Sequence, residues 1–194
     1  MQLTINTLKT TLSKKGYVWY NDRPNIIGIR TNLYVADVFN DLLCLVYNEC
    51  GKEVLKTYTI TTEPGLTYQK KLLNSKGCAV LKPGQYVNAY ASSLHQSKAD
   101  HKALVQVGKV TVIRDKDLDG IAGNSGTEDS GLFGINIHGA NKLTKTEKIG
   151  SWSAGCQVFQ NWKDKEELIS ICEHFKNVTG NRFTYTLILE KDLA

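Results

Sequence analysis

Residues 132–159, LFGINIHGANKLTKTEKIGSWSAGCQVF, carry the reading of the fold and of the chemistry together. The first seven, Leu132 to His138, mix branched and aromatic residues and predict a strand that ends on the histidine. Fourteen residues, 139 through 152, then precede Ser153-Ala154-Gly155-Cys156-Gln157-Val158. Upstream, the same β character recurs in Ile26 to Arg30, Leu33 to Phe39 and Leu42 to Tyr47. Lys56 to Thr62 (KTYTITT) alternates strictly and stops at the turn signal Glu63-Pro64-Gly65. Cys78 to Leu81, Tyr86 to Tyr90, Leu104 to Val107 and Lys109 to Ile113 predict two further strand pairs across glycine-bearing turns. Downstream, residues 164–176 set Leu168, Ile171, Cys172 and Phe175 at the spacing of one helix face, and Phe183 to Leu189 closes the chain as a strand. Residues 2–15 predict a short helix that Gly16 ends.

These elements define a β-rich α+β domain, sandwich-like, with one helix near each end. The expected division is a helical N-terminal extension over 1–24 and one catalytic domain over 25–194. A chain of 194 residues with 41% hydrophobic content can bury a core of useful size without disulfides. No run of eighteen apolar residues occurs, so no membrane span is expected. Residues 1–12 have neither an uninterrupted apolar core nor a small-residue cleavage site, so no secretory leader is expected. The net charge of +5, from 24 basic and 19 acidic residues, is mild and favours anionic surfaces in general. No nucleic-acid module accompanies it, and nucleic acid is not an expected partner.

Five cysteines, an odd number without a C-x-x-C pair, fit neither a disulfide framework nor a zinc ribbon. Cys44 and Cys172 lie in apolar patterns and are expected in the core; Cys50 and Cys78 adjoin glycines and are expected at turn edges. Cys156 is different, because it follows a glycine and stands downstream of a histidine at a strand end. An imidazole can take a thiol proton, and a glycine lets a substrate carbonyl approach the backbone. A free thiol ionises at about pH 8.5, so thiol catalysis near neutrality needs the imidazole to stabilise the thiolate. Backbone N–H groups at Gly155 and Cys156 would serve an oxyanion. Papain-like enzymes put the cysteine before the histidine, and caspase-like enzymes put the histidine about fifty residues upstream in a different signature; neither template fits. On the residues alone, a buried histidine and a turn-filling cysteine stay open beside the catalytic pair.

The segment from Ile135 to Phe159 resembles the active-site motif of the L,D-transpeptidase catalytic domain (the YkuD-type fold), in which His-Gly is followed by Ser-His-Gly-Cys. The resemblance implies Cys156 as nucleophile, His138 as general base, and the Gly139 carbonyl as the group that orients the histidine. It also implies that Ser153, Gly155 and Gln157 contribute to substrate and oxyanion binding. Ala154 stands where the family has a second histidine, and Gln157-Val158 replace an apolar residue and arginine, so the chain resembles a divergent branch. The implied fold is β-rich, and the implied activity is acyl transfer on peptidoglycan stem peptides through a Cys156 thioester. Transfer to an amine would give L,D-transpeptidation, and transfer to water would give peptidase or carboxypeptidase trimming. The implied partner is the stem peptide, with no cofactor and no metal. The expected place of action is the cell wall or periplasm, reached by a route other than a leader. A non-catalytic wall-binding domain and a phage-type or secretion-delivered lytic hydrolase are the alternatives.

Asp115, Asp117, Asp119 and Gly120 resemble the opening of a calcium loop, but the twelfth position is Gly126 where a bidentate glutamate is needed, so an ordinary acidic loop is expected over 115–130. His95 and His101, flanking Lys98 and Asp100, are expected as exposed loop histidines, and His174 as a surface residue. Tyr86 and Tyr90 share a strand face, as packing residues do.

Overall fold

The computed structural model describes residues 3–33, 35–97, 101–117, 119, 121–123 and 125–193. Of the positions singled out above, Lys98, Asp100 and Gly120 lie outside them. In chain order the elements are α1 (Ile5–Lys14), β1 (Asn25–Arg30), β2 (Asp41–Glu49), β3 (Lys52–Thr61), α2 (Leu66–Lys70), β4 (Cys78–Leu81), β5 (Gly84–Leu94), a 3₁₀ turn (His95–Ser97), β6 (Lys102–Gln106), β7 (Val110–Asp115), β8 (Thr127–Gly131), β9 (Ile137–Gly139), β10 (Gln157–Phe159), α3 (Trp162–Thr179) and β11 (Phe183–Leu189).

The fold is β-rich α+β, but its main sheet is a closed eight-stranded barrel and not the expected sandwich. The strand order is β1-β11-β5-β6-β9-β10-β3-β2, and β2 pairs back onto β1. Two features close it. The last strand lies parallel to the first, with Ile26 opposite Tyr185, and the three-residue strands β9 and β10 run parallel across the remaining gap. Closure leaves the sheet without an open edge. A separate three-stranded sheet, β4-β7-β8, shares the same core through Ala79, Leu81, Val110 and Val112.

The nearly continuous apolar runs of β1, β2 and β11 follow from burial on both faces. Ile26, Leu43, Leu45 and Leu187 turn to one core, while Ile27, Ile29, Cys44, Val46 and Ile188 turn to a second core completed by Leu8 and Leu12 of α1. Burial of each of those two leucines contributes roughly 1.5–3 kcal/mol. Thr4 caps α1 by accepting from the Thr7 N–H at 3.1 Å. By contrast β3, which alternates in sequence, is half exposed. Gly28 is required where it stands, because a Cβ there would overlap the Tyr185 hydroxyl. Tyr86 and Tyr90 pack as expected: Tyr90 meets Tyr185 edge-on at 5.8 Å.

α3 is longer at both ends than residues 164–176; it is capped by Asn161, and Gly180 ends it at φ 88°. Leu168, Ile169, Cys172 and Phe175 form its buried face, with Ile171 at the margin. It packs on β5, β6, β9 and β10. Neither it nor any other described helix is long and apolar enough to cross a membrane.

One predicted strand does not form among its described residues, and another forms only at its end. Between Leu33 and Phe39, Asp37 adopts φ 65°, and its Oδ1 accepts from the N–H groups of Leu66 (3.2 Å) and Gly150 (2.6 Å); the described residues of the segment make one bridge, Val38 to Lys148. From Leu132 to Asn136 the chain is bonded by side chains in place of a ladder. Gln106 Oε1 accepts from the N–H groups of Phe133 and Ile135, each at 3.0 Å, and Asn136 Oδ1 accepts from the Gln106 N–H at 2.8 Å. Only Ile137–Gly139 pairs as β9. The acidic loop is shorter than expected, since β8 takes its last residues. Its carboxylates cap their own turn: Asp115 accepts from Gly123 at 2.6 Å and Asp119 from Ile121 at 2.7 Å.

Candidate active site

β9 and β10 lie parallel, with Ile137 opposite Gln157 and His138 opposite Val158. Side chains alternate across a sheet, so one set faces inward and the next outward. Ile137 and Phe159 enter the main core, and Gln157, fully buried, accepts a hydrogen bond from the Tyr185 hydroxyl at 2.9 Å. Val158 faces the other way, against Phe39, Ala140, Ile149 and Cys156. His138 and Cys156 share that outer side and line one cavity of about 740 Å³, with Asn136, Trp152, Trp162 and Tyr68 among its walls.

His138 is buried, 5% exposed. Its Nδ1 lies 3.0 Å from the Gly139 carbonyl oxygen. A carbonyl only accepts, so Nδ1 carries the proton and Nε2 is the basic nitrogen. Gly139 is excluded from having a side chain by packing, because a Cβ would press on Trp162 at 2.9 Å. Burial holds the imidazole far below its ordinary range, at about 3; the neighbouring His95 adds to the effect, and the Gly139 hydrogen bond opposes it. His138 is therefore neutral at physiological pH.

The Cys156 thiol donates to the Gly134 carbonyl at 3.3 Å and not to the imidazole. Burial pushes it up to about 11, against a smaller opposite effect from the Asn136 backbone N–H. The thiolate expected from an adjacent imidazole is thus not the resting form: thiol and imidazole are both neutral. Ser153 is fully buried and holds the turn before the cysteine, its hydroxyl donating to the Cys156 carbonyl at 2.8 Å and accepting from the Gly155 N–H at 3.2 Å. Gly155 has φ 129°, and a Cβ there would overlap the Ala79 carbonyl oxygen, so glycine is required twice over. Of the expected site residues, Cys156, His138 and Gly139 line the cavity, whereas Ser153 and Gly155 shape the turn behind it and Gln157 belongs to the barrel interior.

Three comparisons were made, with protein-family models, curated proteins and solved structures. None finds a match.

The histidines expected on an exposed loop belong to this cavity. The His95 ring stacks on His138 with centroids 4.4 Å apart and planes at 22°, and His101 meets His138 edge-on at 5.9 Å. The hairpin between β5 and β6 brings them there, closed by a 2.7 Å bond from the His95 N–H to the His101 carbonyl. The Asn136 amide reaches His95 Nδ1 at 3.3 Å. Two histidines bounding a polar turn between strand patterns are the signal that marks such a hairpin mouth. Among the described residues no group of three or more His, Cys, Asp or Glu is arranged to hold a metal ion. Cys44, Cys78 and Cys172 are buried; Cys78 opens β4 directly after the turn that Gly77 ends, at the turn edge as expected, while Cys50 is exposed at φ 51°.

Proposed function

We propose that this chain is a cysteine acyl-transfer enzyme acting on peptidoglycan stem peptides at the cell wall, similar in chemistry to L,D-transpeptidases. One observation carries the reading: neighbouring parallel strands bring His138 and Cys156 to one cavity, with the histidine tautomer held so that Nε2 is the base. In the reaction, the thiol turns from the Gly134 carbonyl toward Nε2, which takes its proton as Sγ attacks the peptide carbonyl. The S–C bond forms, the C–N bond breaks, and the proton on Nε2 passes to the departing amine. A thioester to Cys156 remains. An incoming amine or water gives its proton to Nε2, displaces the sulfur, and the thiol recovers a proton from the imidazolium. The Gly155 N–H is occupied by the Ser153 hydroxyl, which leaves the oxyanion in this reading to the Cys156 backbone N–H.

The neutral resting pair favours a second reading, a wall-binding domain that performs no chemistry. Incubation of purified sacculi with the protein and with Cys156→Ala, followed by mass analysis of the muropeptides, separates the two. New cross-links between third residues mean transfer, and shortened stems without cross-links mean hydrolysis. Unchanged muropeptides with retained binding mean the wall-binding domain.

A further inference from the structure

Beyond Tyr68 and Ala154, which line the thiol cavity, lies a second cavity of about 360 Å³ that the same two residues also line. Its charged wall is Arg114 on β7, whose side chain is 9% exposed. Nε donates to Asp129 at 3.1 Å, and the guanidinium lies over the Phe133 ring, 4.6 Å from its centroid. Among the described residues neither Nη nitrogen has an acceptor. The Nη donors are not among the buried polar atoms without partners, so they open onto the cavity, and the planar fork of a guanidinium matches a carboxylate. Asp129 offsets only part of the local positive charge, because Lys76 also approaches it at 3.8 Å.

The two cavities share a wall. The Gly155 backbone abuts the Ala79 carbonyl, and Ala79 is the register partner of Arg114. Paired strands hold opposing Cα atoms about 5 Å apart, so Arg114 stands one strand beyond the residue that the Gly155 turn touches.

Resting on the acyl-transfer reading, we infer that Arg114 is the core of an anion subsite that holds a carboxylate of the donor peptide, in the cavity adjoining the one where Cys156 attacks the carbonyl. Phe133 keeps the guanidinium plane in position and Asp129 holds Nε, which leaves the two Nη groups to grip the carboxylate oxygens. The subsite selects acidic peptides over their amides.

The test is calorimetric and uses the full chain carrying Cys156→Ala, which binds without turnover. The probes are a disaccharide-tetrapeptide with free carboxylates and the same compound with its carboxylates converted to carboxamides. The acid should bind about tenfold more tightly than the amide, as charge-assisted hydrogen bonds to a buried arginine imply. Adding Arg114→Gln should abolish that preference. Adding Asp129→Asn, which keeps the arginine and removes its competing carboxylate, should enlarge it; a merely destabilising change would not. Equal binding of both probes, binding of neither, or a preference that survives Arg114→Gln would each overturn the subsite. Failure of the acyl-transfer reading shows elsewhere: the unsubstituted protein would form no adduct at Cys156, whatever these affinities are.

Discussion

Gly155 fixes how the thiol is presented. At φ 129°, and with the Ala79 carbonyl where a Cβ would go, it admits no side chain without moving the turn. Gly155→Ala should cost about 2–4 kcal/mol of stability, the combined scale of a strained backbone and an overpacked contact, and should lower the denaturation midpoint accordingly. One residue on, the thiol carries a separate expectation. With Cys156 pushed up to about 11, its alkylation by iodoacetamide should keep accelerating from pH 8 to about pH 11, where an ordinary thiol levels off near 9. A plateau reached at neutral pH would mean a resting thiolate. At this scale the sequence was informative about the cavity that His138 and Cys156 share, although His138 is the middle residue of the short β9 and not the end of a longer strand. The sequence misplaced His95 and His101 on an exposed loop, because their approach to His138 depends on β5, β6 and β9 meeting in the barrel.

Among the elements, β1, β2 and β11 were legible from nearly continuous apolar runs because two cores claim their two faces, and β3 from its alternation because it is half exposed. Leu33 to Phe39 and Leu132 to Asn136 have similar composition, yet the first is held by Asp37, whose carboxylate accepts from the distant Leu66 and Gly150 N–H groups, and the second by the distant Gln106, whose side chain accepts from the Phe133 and Ile135 N–H groups. Composition does not register such bonds. Another long-range device joins the barrel to the second sheet. Buried Arg30 donates from Nε to the Thr62 hydroxyl at 2.8 Å, and from Nη2 to the Thr62 carbonyl at 2.9 Å and the Leu81 carbonyl at 3.0 Å. Arg30→Met leaves those acceptors buried without their donor and should destabilise by about 3–5 kcal/mol, measured by chemical denaturation. The loss should exceed that of replacing an exposed pair such as Lys9 and Glu53, whose contribution is at most about 1 kcal/mol.

For the whole molecule, closure was the part hidden from sequence. The pairing of β1 with β11 links residues near the two ends of the chain, and no local pattern announces a parallel contact across that separation. Stability against pH is likewise a property of the assembled fold, and two groups, buried His138 and partly buried Glu63, pull it in opposite directions. His138 is depressed to about 3 from 6.5, so its contribution is complete above pH 6.5 and is lost as pH falls toward 3. Glu63 is raised by burial to about 7 from 4.5, so the folded state is favoured below pH 4.5 and loses that advantage as pH rises through 7. Glu63→Gln should therefore stabilise the protein at pH 8 and make little difference at pH 4, read as the shift in melting temperature at each pH.

The most direct test of the chemistry is the intact mass of the protein after brief exposure to a disaccharide-tetrapeptide, with the adduct mapped by peptide sequencing. The account predicts a thioester on Cys156, equal to the donor minus its terminal amino acid, that accumulates slowly or not at all in His138→Ala and is absent in Cys156→Ala. An unmodified Cys156 in a protein that binds the donor, or an adduct that forms equally well without His138, would contradict it.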